Sequence, residues 1–261
     1  MSSHFGDSEY HDLSVEIRDD IAIVAINRPK VLNALSRKTK RELRDFFQKA
    51  NERADFKAVI LTGGGEQSFC AGTDLKDMGT HETVEGVDML WLEHRMNEAI
   101  RYCNKPVIAA VNGYALGSGC LMTILCDYSV VADSAILGFP EIKAGLPSCI
   151  EIALLPRLVG LAKAREMTYF GEPISAKEAL DIGLINKIVP KEAVMQAAVQ
   201  IARKFIAISP AARRSQKELI NKWIETDFKA AVEYSIPLGG VCFATGEPKI
   251  EIQKFLDKKR K

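Results

Sequence analysis

The order of apolar and polar positions along the chain predicts strands that alternate with helices. Residues 13–17 alternate, Asp19 and Asp20 supply a polar turn, and 21–26 form a continuous apolar run, which together predict a β-hairpin. Apolar runs bounded by glycine, proline or charged residues predict further strands at 58–62, 106–111, 128–132, 136–139 and 185–189.

Apolar residues at helical spacing predict the helices, and Ser36 and Ser175 are placed to cap two of them. The predicted helices cover 37–53, 89–101, 120–126, 152–159, 162–170, 176–182, 191–207, 211–226, 228–234 and 249–258. Strands and helices alternate to about residue 190, and only helices follow. We therefore expect an α/β core over 1–207 and a helical C-terminal region over 208–261.

Composition narrows the class of protein. Of the 261 residues 47% are apolar and 26% charged, which is typical of a globular protein. Lys and Arg total 35 against 34 Asp and Glu, so the net charge of +1 does not favour nucleic acid as a partner. No apolar run approaches the roughly 20 residues of a membrane span. The polar start lacks the apolar segment of a secretory signal, so we expect a cytoplasmic protein.

The cysteines and histidines do not predict a metal site. The six cysteines form no CxxC pair, and the four histidines show no ligand spacing. We therefore expect no metal, and we expect the cysteines to be reduced.

Two segments rich in small residues carry the candidate chemistry. They are SFCAGTDL at 68–75 and NGYALGSGC at 112–120, and each follows a predicted buried strand closely. Small residues let the backbone approach a ligand, and the second segment opens a helix whose first N–H groups are unpaired. Two such N–H groups could hold a developing oxyanion. The alternative is that the glycines only serve tight turns.

Five segments in this order resemble the enoyl-CoA hydratase/isomerase (crotonase) superfamily. They are INRPKVLNALS at 26–36, SFCAGTDLKDM at 68–78, KPVIAAVNGYALGSGC at 105–120, CDYSVVADSAILGFPEIKAGLP at 126–147 and the stretch 154–190. The resemblance implies a spiral of repeated ββα units with a helical C-terminal extension that builds homotrimers or hexamers. It implies an acyl-CoA thioester as substrate, hence a role in fatty acid metabolism, and no separate cofactor, because coenzyme A is part of the substrate.

The resemblance also implies roles for particular residues. The backbone N–H groups of Thr73 and Ser118 would form the oxyanion hole. Ser118 replaces a common glycine, but any residue except proline supplies an N–H, so we expect its side chain to matter little. Further substrate contacts are implied for Lys30, Ala71, Gly72, Asp74, Leu75, Leu121, Phe255 and Lys258. For Asp74 a cap of the following helix is the alternative, and for the C-terminal pair a solvated helix end.

The catalytic carboxylates depart from the family pattern. Typical hydratases of the family carry two glutamates; here the first position holds Leu121 and the second keeps Glu141. Moving a double bond from the 3,4 to the 2,3 position needs one base, whereas adding water uses two carboxylates naturally. We therefore expect an isomerase with Glu141 as acid and base. A hydratase is the alternative, and a catalytically inactive acyl-CoA-binding protein is the alternative of another class.

Other polar residues are expected to be structural. Glu151 is interpreted as an acid in the first turn of a helix, and His94 as a residue of the core or of the pocket wall. Around Glu141 we expect apolar neighbours that raise its pKa, namely Leu121, Leu137, Phe139 and Ile142. On the C-terminal helices, apolar positions are expected to be buried between subunits, namely Leu219, Trp223, Phe228 and Tyr234.

Overall fold

The structure, a computed structural model, describes residues 10–78 and 82–258 and contains two β-sheets with helices packed around them. The strands are β1 Leu13–Arg18, β2 Ile21–Ile26, β3 Ala58–Gly63, β4 Ser68–Cys70, β5 Val107–Val111, β6 Tyr114–Leu116, β7 Tyr128–Ala132, β8 Ile136–Gly138, β9 Ile174–Ser175 and β10 Lys187–Val189. The helices are α1 Arg37–Ala50, α2 Leu75–Met78, α3 Thr83–Arg101, α4 Ser118–Leu125, α5 Leu155–Phe170, α6 Ala176–Asp181, α7 Val194–Ile206, α8 Pro210–Glu225, α9 Phe228–Ala244 and α10 Glu247–Lys258.

The larger sheet has the strand order β1-β2-β3-β5-β7-β10. Strands β1 and β2 form the predicted antiparallel hairpin, and the other pairs are parallel. Every residue of β3 and β5 is buried. That is why these strands are continuous apolar runs in the sequence, as expected of parallel strands covered on both faces.

In the smaller sheet, β4-β6-β8-β9, the first three strands each follow a strand of the larger sheet. The chain passes from β3 to β4, from β5 to β6 and from β7 to β8, and a helix follows each pair. This is the repeated ββα arrangement that was expected, so the predicted α/β fold class is confirmed. Strands β4 and β6 were not predicted, because each has three residues and lies inside a segment rich in small residues.

Capping residues and apolar spacing predicted some helix boundaries correctly and missed others. Ser36 caps α1 as predicted, since its hydroxyl accepts the N–H of Thr39 at 3.1 Å. Helix α3 begins at Thr83, before the predicted start at Met89. The apolar pattern missed its first turns because they are largely exposed and lack an apolar face. Helix α9 continues to Ala244 with Pro237 inside it, although proline usually ends a helix.

The C-terminal helices are attached to the core through polar contacts of α8. The Lys217 ammonium lies 2.7 Å from the Asp127 carboxylate, and Asn221 exchanges hydrogen bonds with Arg101. The predicted division at 207/208 falls between α7 and α8 and stays a prediction. None of the helices described here combines the length and the apolar character that crossing a bilayer requires.

Candidate active site

A loop after β2 is hydrogen-bonded to the first small-residue segment. Asn33 is fully buried, and its amide donates to the carbonyls of Gly64 at 2.9 Å and Ser68 at 2.7 Å. The N–H of Ala71 donates to Leu32 at 3.0 Å. This pairing places the loop that carries Lys30 beside the 71–75 segment. No local sequence pattern points to Asn33, because its partners lie more than 30 positions away.

The second small-residue segment meets the first at Gly117, just before α4. Gly117 has φ +52° and ψ −120°, and Gly72 has φ +103°. A Cβ atom at Gly117 would lie 3.7 Å from the Cα of Gly72 and 3.0 Å from Oε1 of Glu141. Three separate segments therefore converge on one point, and two of them need glycine there.

The two predicted oxyanion donors are brought together at this point. The hydroxyl oxygens of Thr73 and Ser118 are 3.1 Å apart. Among the residues described, no acceptor is paired with the backbone N–H of either one, and Ser118 is the first residue of α4. Unpaired N–H groups at a helix start carry partial positive charge. Such a pair of donors is suited to hold an oxyanion.

The third predicted catalytic residue, Glu141, lies beside these donors at the start of a 3-10 turn over 141–144. Burial raises the pKa of the Glu141 carboxyl, and the nearby negative charge of Glu93 adds to this. The Ser148 hydroxyl donates to Oε2 at 3.2 Å and acts in the opposite direction. A raised pKa suits a group that must both take up and return a proton.

Three of the four apolar residues expected around Glu141 are buried. Leu121, Leu137 and Phe139 are fully buried. The expectation for Ile142 was wrong, because its side chain is 39% exposed and its Cγ2 points to Gly171. Leu121, which stands at the first glutamate position of the family pattern, is therefore a buried apolar residue.

Two charged residues without a predicted role contact the side chains of Thr73 and Ser118. Glu93 accepts a hydrogen bond from Ser118 Oγ at 2.6 Å and is paired with the buried Lys40 at 2.6 Å. The Ser118 hydroxyl therefore has a charged partner, which the expectation that this side chain matters little does not take into account. A signal was present in the sequence, because Lys40 lies three positions before Leu43 on the buried face of α1.

A second polar cluster contains His94 and Glu151. His94 Nδ1 is hydrogen-bonded to Glu151, and the Asn97 amide donates to the same carboxylate at 2.6 Å. Glu151 lies in the first turn of a 3-10 helix, as predicted, and both of its oxygens are engaged. The interpretation as a structural acid agrees with this arrangement.

The other predicted substrate contacts differ in exposure. Lys30 and Leu75 are exposed, and so is Phe255 on α10. Lys258 ends α10, and its side chain lies outside the described part of the chain. The roles of these residues stay predictions.

Asp74 makes the contacts of a structural cap. Its Oδ1 accepts the N–H of Lys76 at 3.1 Å, and its Oδ2 is paired with Arg28 at 3.1 Å. These contacts favour the cap interpretation over a substrate contact. Over residues 10–78 and 82–258, no three His, Cys, Asp or Glu side chains are grouped as metal ligands would be.

Comparisons with known proteins agree with the family resemblance seen in the sequence. The family profile described as Enoyl-CoA hydratase/isomerase matches residues 16–261. The short-chain-enoyl-CoA hydratase of Clostridium acetobutylicum is 36% identical over 97% of both chains. The crotonyl-CoA hydratase of Syntrophomonas wolfei is 35% identical over 96% of this chain and 97% of its own. The crystal structure of an enoyl-CoA hydratase from Bacillus anthracis superposes with a TM-score of 0.90, at 32% identity over 95% of this chain and 97% of that one.

Proposed function

Because the chain belongs to the enoyl-CoA hydratase/isomerase family, we propose that it moves the double bond of a 3-enoyl-CoA to the 2,3 position. Glu141 takes a proton from C2, which the thioester carbonyl makes acidic. The electron pair of that C–H bond is delocalised over the thioester and the double bond as a dienolate. The N–H groups of Thr73 and Ser118 hold the oxyanion, and Glu141 returns the proton at C4.

The observation that carries this proposal is that, of the two carboxylates described beside Thr73 and Ser118, Glu141 is the one outside the buried ion pair. Oε1 of Glu141 lies beside Gly117, whereas Leu121 is a buried apolar residue. The neighbouring Glu93 has both oxygens engaged by Lys40, Thr73 and Ser118. One group that carries a proton between two carbons is sufficient for isomerisation. No cofactor is needed, since coenzyme A is part of the substrate.

Hydration of a 2-enoyl-CoA is the second candidate, and the names of the relatives favour it. Two relatives at 35–36% identity are named as hydratases. In this reaction Glu141 would have to activate the water and also supply the proton that is added to C2. Leu121 removes the second carboxylate that would share this work.

Ultraviolet absorbance separates the two reactions, because only a 2-enoyl-CoA is conjugated with its thioester. We expect the protein to increase the absorbance of 3-hexenoyl-CoA and to leave 2-hexenoyl-CoA largely unchanged. Loss of the conjugated absorbance with 2-hexenoyl-CoA would instead identify the hydratase. If the protein binds both thioesters and changes neither, both reactions are excluded.

Substitution of Glu141 tests its role directly. Glu141→Gln keeps the shape of the side chain and removes the ability to carry a proton. We expect it to retain acyl-CoA binding and to lose roughly 10²–10⁴-fold in turnover. Glu52→Gln, at an exposed glutamate, is the matched control and should leave turnover unchanged. Equal turnover of the two variants would contradict the proposed mechanism.

A further inference from the structure

A buried ion pair stands behind the oxyanion donors, and the proposed reaction does not use it. Lys40 of α1 and Glu93 of α3 are 2.6 Å apart, and their side chains are 0% and 6% exposed. Desolvation of two charges offsets most of their attraction, so apolar residues of similar volume often stabilise a fold equally well. Stability is therefore a weak explanation for this pair.

Within residues 10–78 and 82–258, the hydrogen bonds of the pair lead to the two proposed donor residues and to no other site residue. Oε1 of Glu93 accepts the hydroxyl of Ser118 at 2.6 Å. Oε2 accepts Lys40 at 2.6 Å and the hydroxyl of Thr73 at 3.1 Å. Lys40 also donates to the Thr73 hydroxyl at 3.0 Å. One carboxylate thus connects the two segments that supply the proposed backbone N–H donors.

We propose that Glu93 is a positioning residue that fixes the separation of the Thr73 and Ser118 N–H donors, while Lys40 neutralises its charge. The inference rests on the proposed function, because it concerns the oxyanion hole of that reaction. Oxyanion donors act only at the correct distance from the developing charge, and a displacement of about 1 Å can reduce the rate about 10²-fold. Without Lys40, the Glu93 carboxylate would oppose formation of an enolate nearby.

Two double variants separate positioning from charge. Lys40→Met with Glu93→Gln removes both charges and keeps an oxygen for Ser118 and an amide donor for Thr73. Lys40→Met with Glu93→Leu removes both charges and both hydrogen bonds. We expect kcat of the Leu variant to be roughly 10- to 100-fold below that of the Gln variant. KM should differ by less than about threefold, because the coenzyme A contacts are unchanged.

A second readout does not depend on turnover. Acetoacetyl-CoA is a β-keto thioester whose enolate absorbs in the near ultraviolet, and an intact oxyanion hole favours that enolate. We expect the bound enolate fraction to be high in the wild type and in the Gln variant and to be reduced in the Leu variant. If the wild type turns over neither enoyl-CoA but this order is observed, the proposed function fails and the positioning role stands.

The inference is overturned if both double variants show the same kcat and the same enolate fraction. It is also overturned if the Leu variant only melts at a lower temperature while its turnover per folded molecule equals that of the Gln variant. Should the Leu variant not fold, Ser118→Ala is the substitute test. It removes the hydrogen bond from the Ser118 hydroxyl to Glu93 and keeps the backbone N–H donor. A kcat for Ser118→Ala that equals the wild-type value would overturn the inference as well.

Discussion

Oε1 of Glu141 lies 3.0 Å from the point that a Cβ atom at Gly117 would occupy. The backbone at Gly117 is also in a conformation with φ +52°. A side chain at residue 117 would therefore approach the Glu141 carboxylate too closely unless that carboxylate moved. Glycine at this position serves the site as well as the turn.

Gly117→Ala should accordingly impair catalysis more than folding. The added methyl group displaces the Glu141 carboxylate, so we expect kcat to fall by roughly tenfold or more. Gly246→Ala is the matched control, because Gly246 has φ +75° and no atom within 4 Å of its Cβ position. The control also places alanine at a positive φ and should keep its turnover per folded molecule. Equal kcat values for the two variants would contradict this prediction.

Much of the site could be predicted because it is built from short segments. The glycines and small residues around Thr73 and Ser118 are adjacent in sequence, and the buried strands before them are visible as apolar runs. The ion pair could not be predicted in this way, since Lys40 and Glu93 are 53 positions apart and meet only when α1 packs against α3. A charged residue on an apolar helix face was the available signal, but the sequence does not identify its partner.

Ser118 has a backbone N–H and a hydroxyl with separate proposed roles, so the alanine and proline variants at this position should differ in activity. Ser118→Ala keeps the N–H and loses the bond to Glu93, so we expect an intermediate kcat. Ser118→Pro removes the N–H at the first position of α4, where a helix tolerates proline. We expect it to lose roughly 10²–10³-fold in kcat, equivalent to about 2.7–4 kcal/mol. Far-ultraviolet circular dichroism would verify that both variants fold, and a proline variant as active as the alanine variant would exclude the N–H donor.

The pH dependence of turnover should respond to the hydrogen bond from Ser148. This hydroxyl donates to the ionised form of Glu141 and so lowers the pKa of the Glu141 carboxyl. Ser148→Ala should raise that pKa, and the acidic limb of kcat/KM against pH should move to higher pH. Ser134→Ala, at an exposed serine, is the control. A limb that moves to lower pH or stays in place would show that Glu141 is not the titrating base.

The apolar surface of the C-terminal helices predicts self-association. Trp223, Phe228 and Ile236 are exposed and line one groove of α8 and α9. Exposed apolar areas of this kind usually mark contact surfaces. We expect light scattering to give a trimer or hexamer for the wild type and smaller species for Ile236→Asp. Lys229→Asp, on the same helix, should leave the assembly intact, and a monomeric wild type would contradict the prediction.

The burial of Glu141 should also make the stability of the fold depend on pH. Burial raises the pKa of Glu141 in the folded state above its value in the unfolded chain. The folded state therefore binds this proton more tightly, and stability is lost as the pH rises through the interval between the two pKa values. Glu141→Gln cannot ionise and escapes this loss.

We therefore expect Glu141→Gln to have a higher Tm than the wild type at about pH 7. The difference should shrink as the pH is lowered to about 4, where the carboxyl is largely protonated in both states. Calorimetry across this range measures it, and Glu52→Gln should show no such pH-dependent gain. A purely structural role for Glu141 predicts the reverse, a lower Tm at neutral pH with turnover per folded molecule intact. Together with the loss of turnover, a gain in Tm at neutral pH would show that this carboxylate is kept at the expense of stability, as a proton carrier requires.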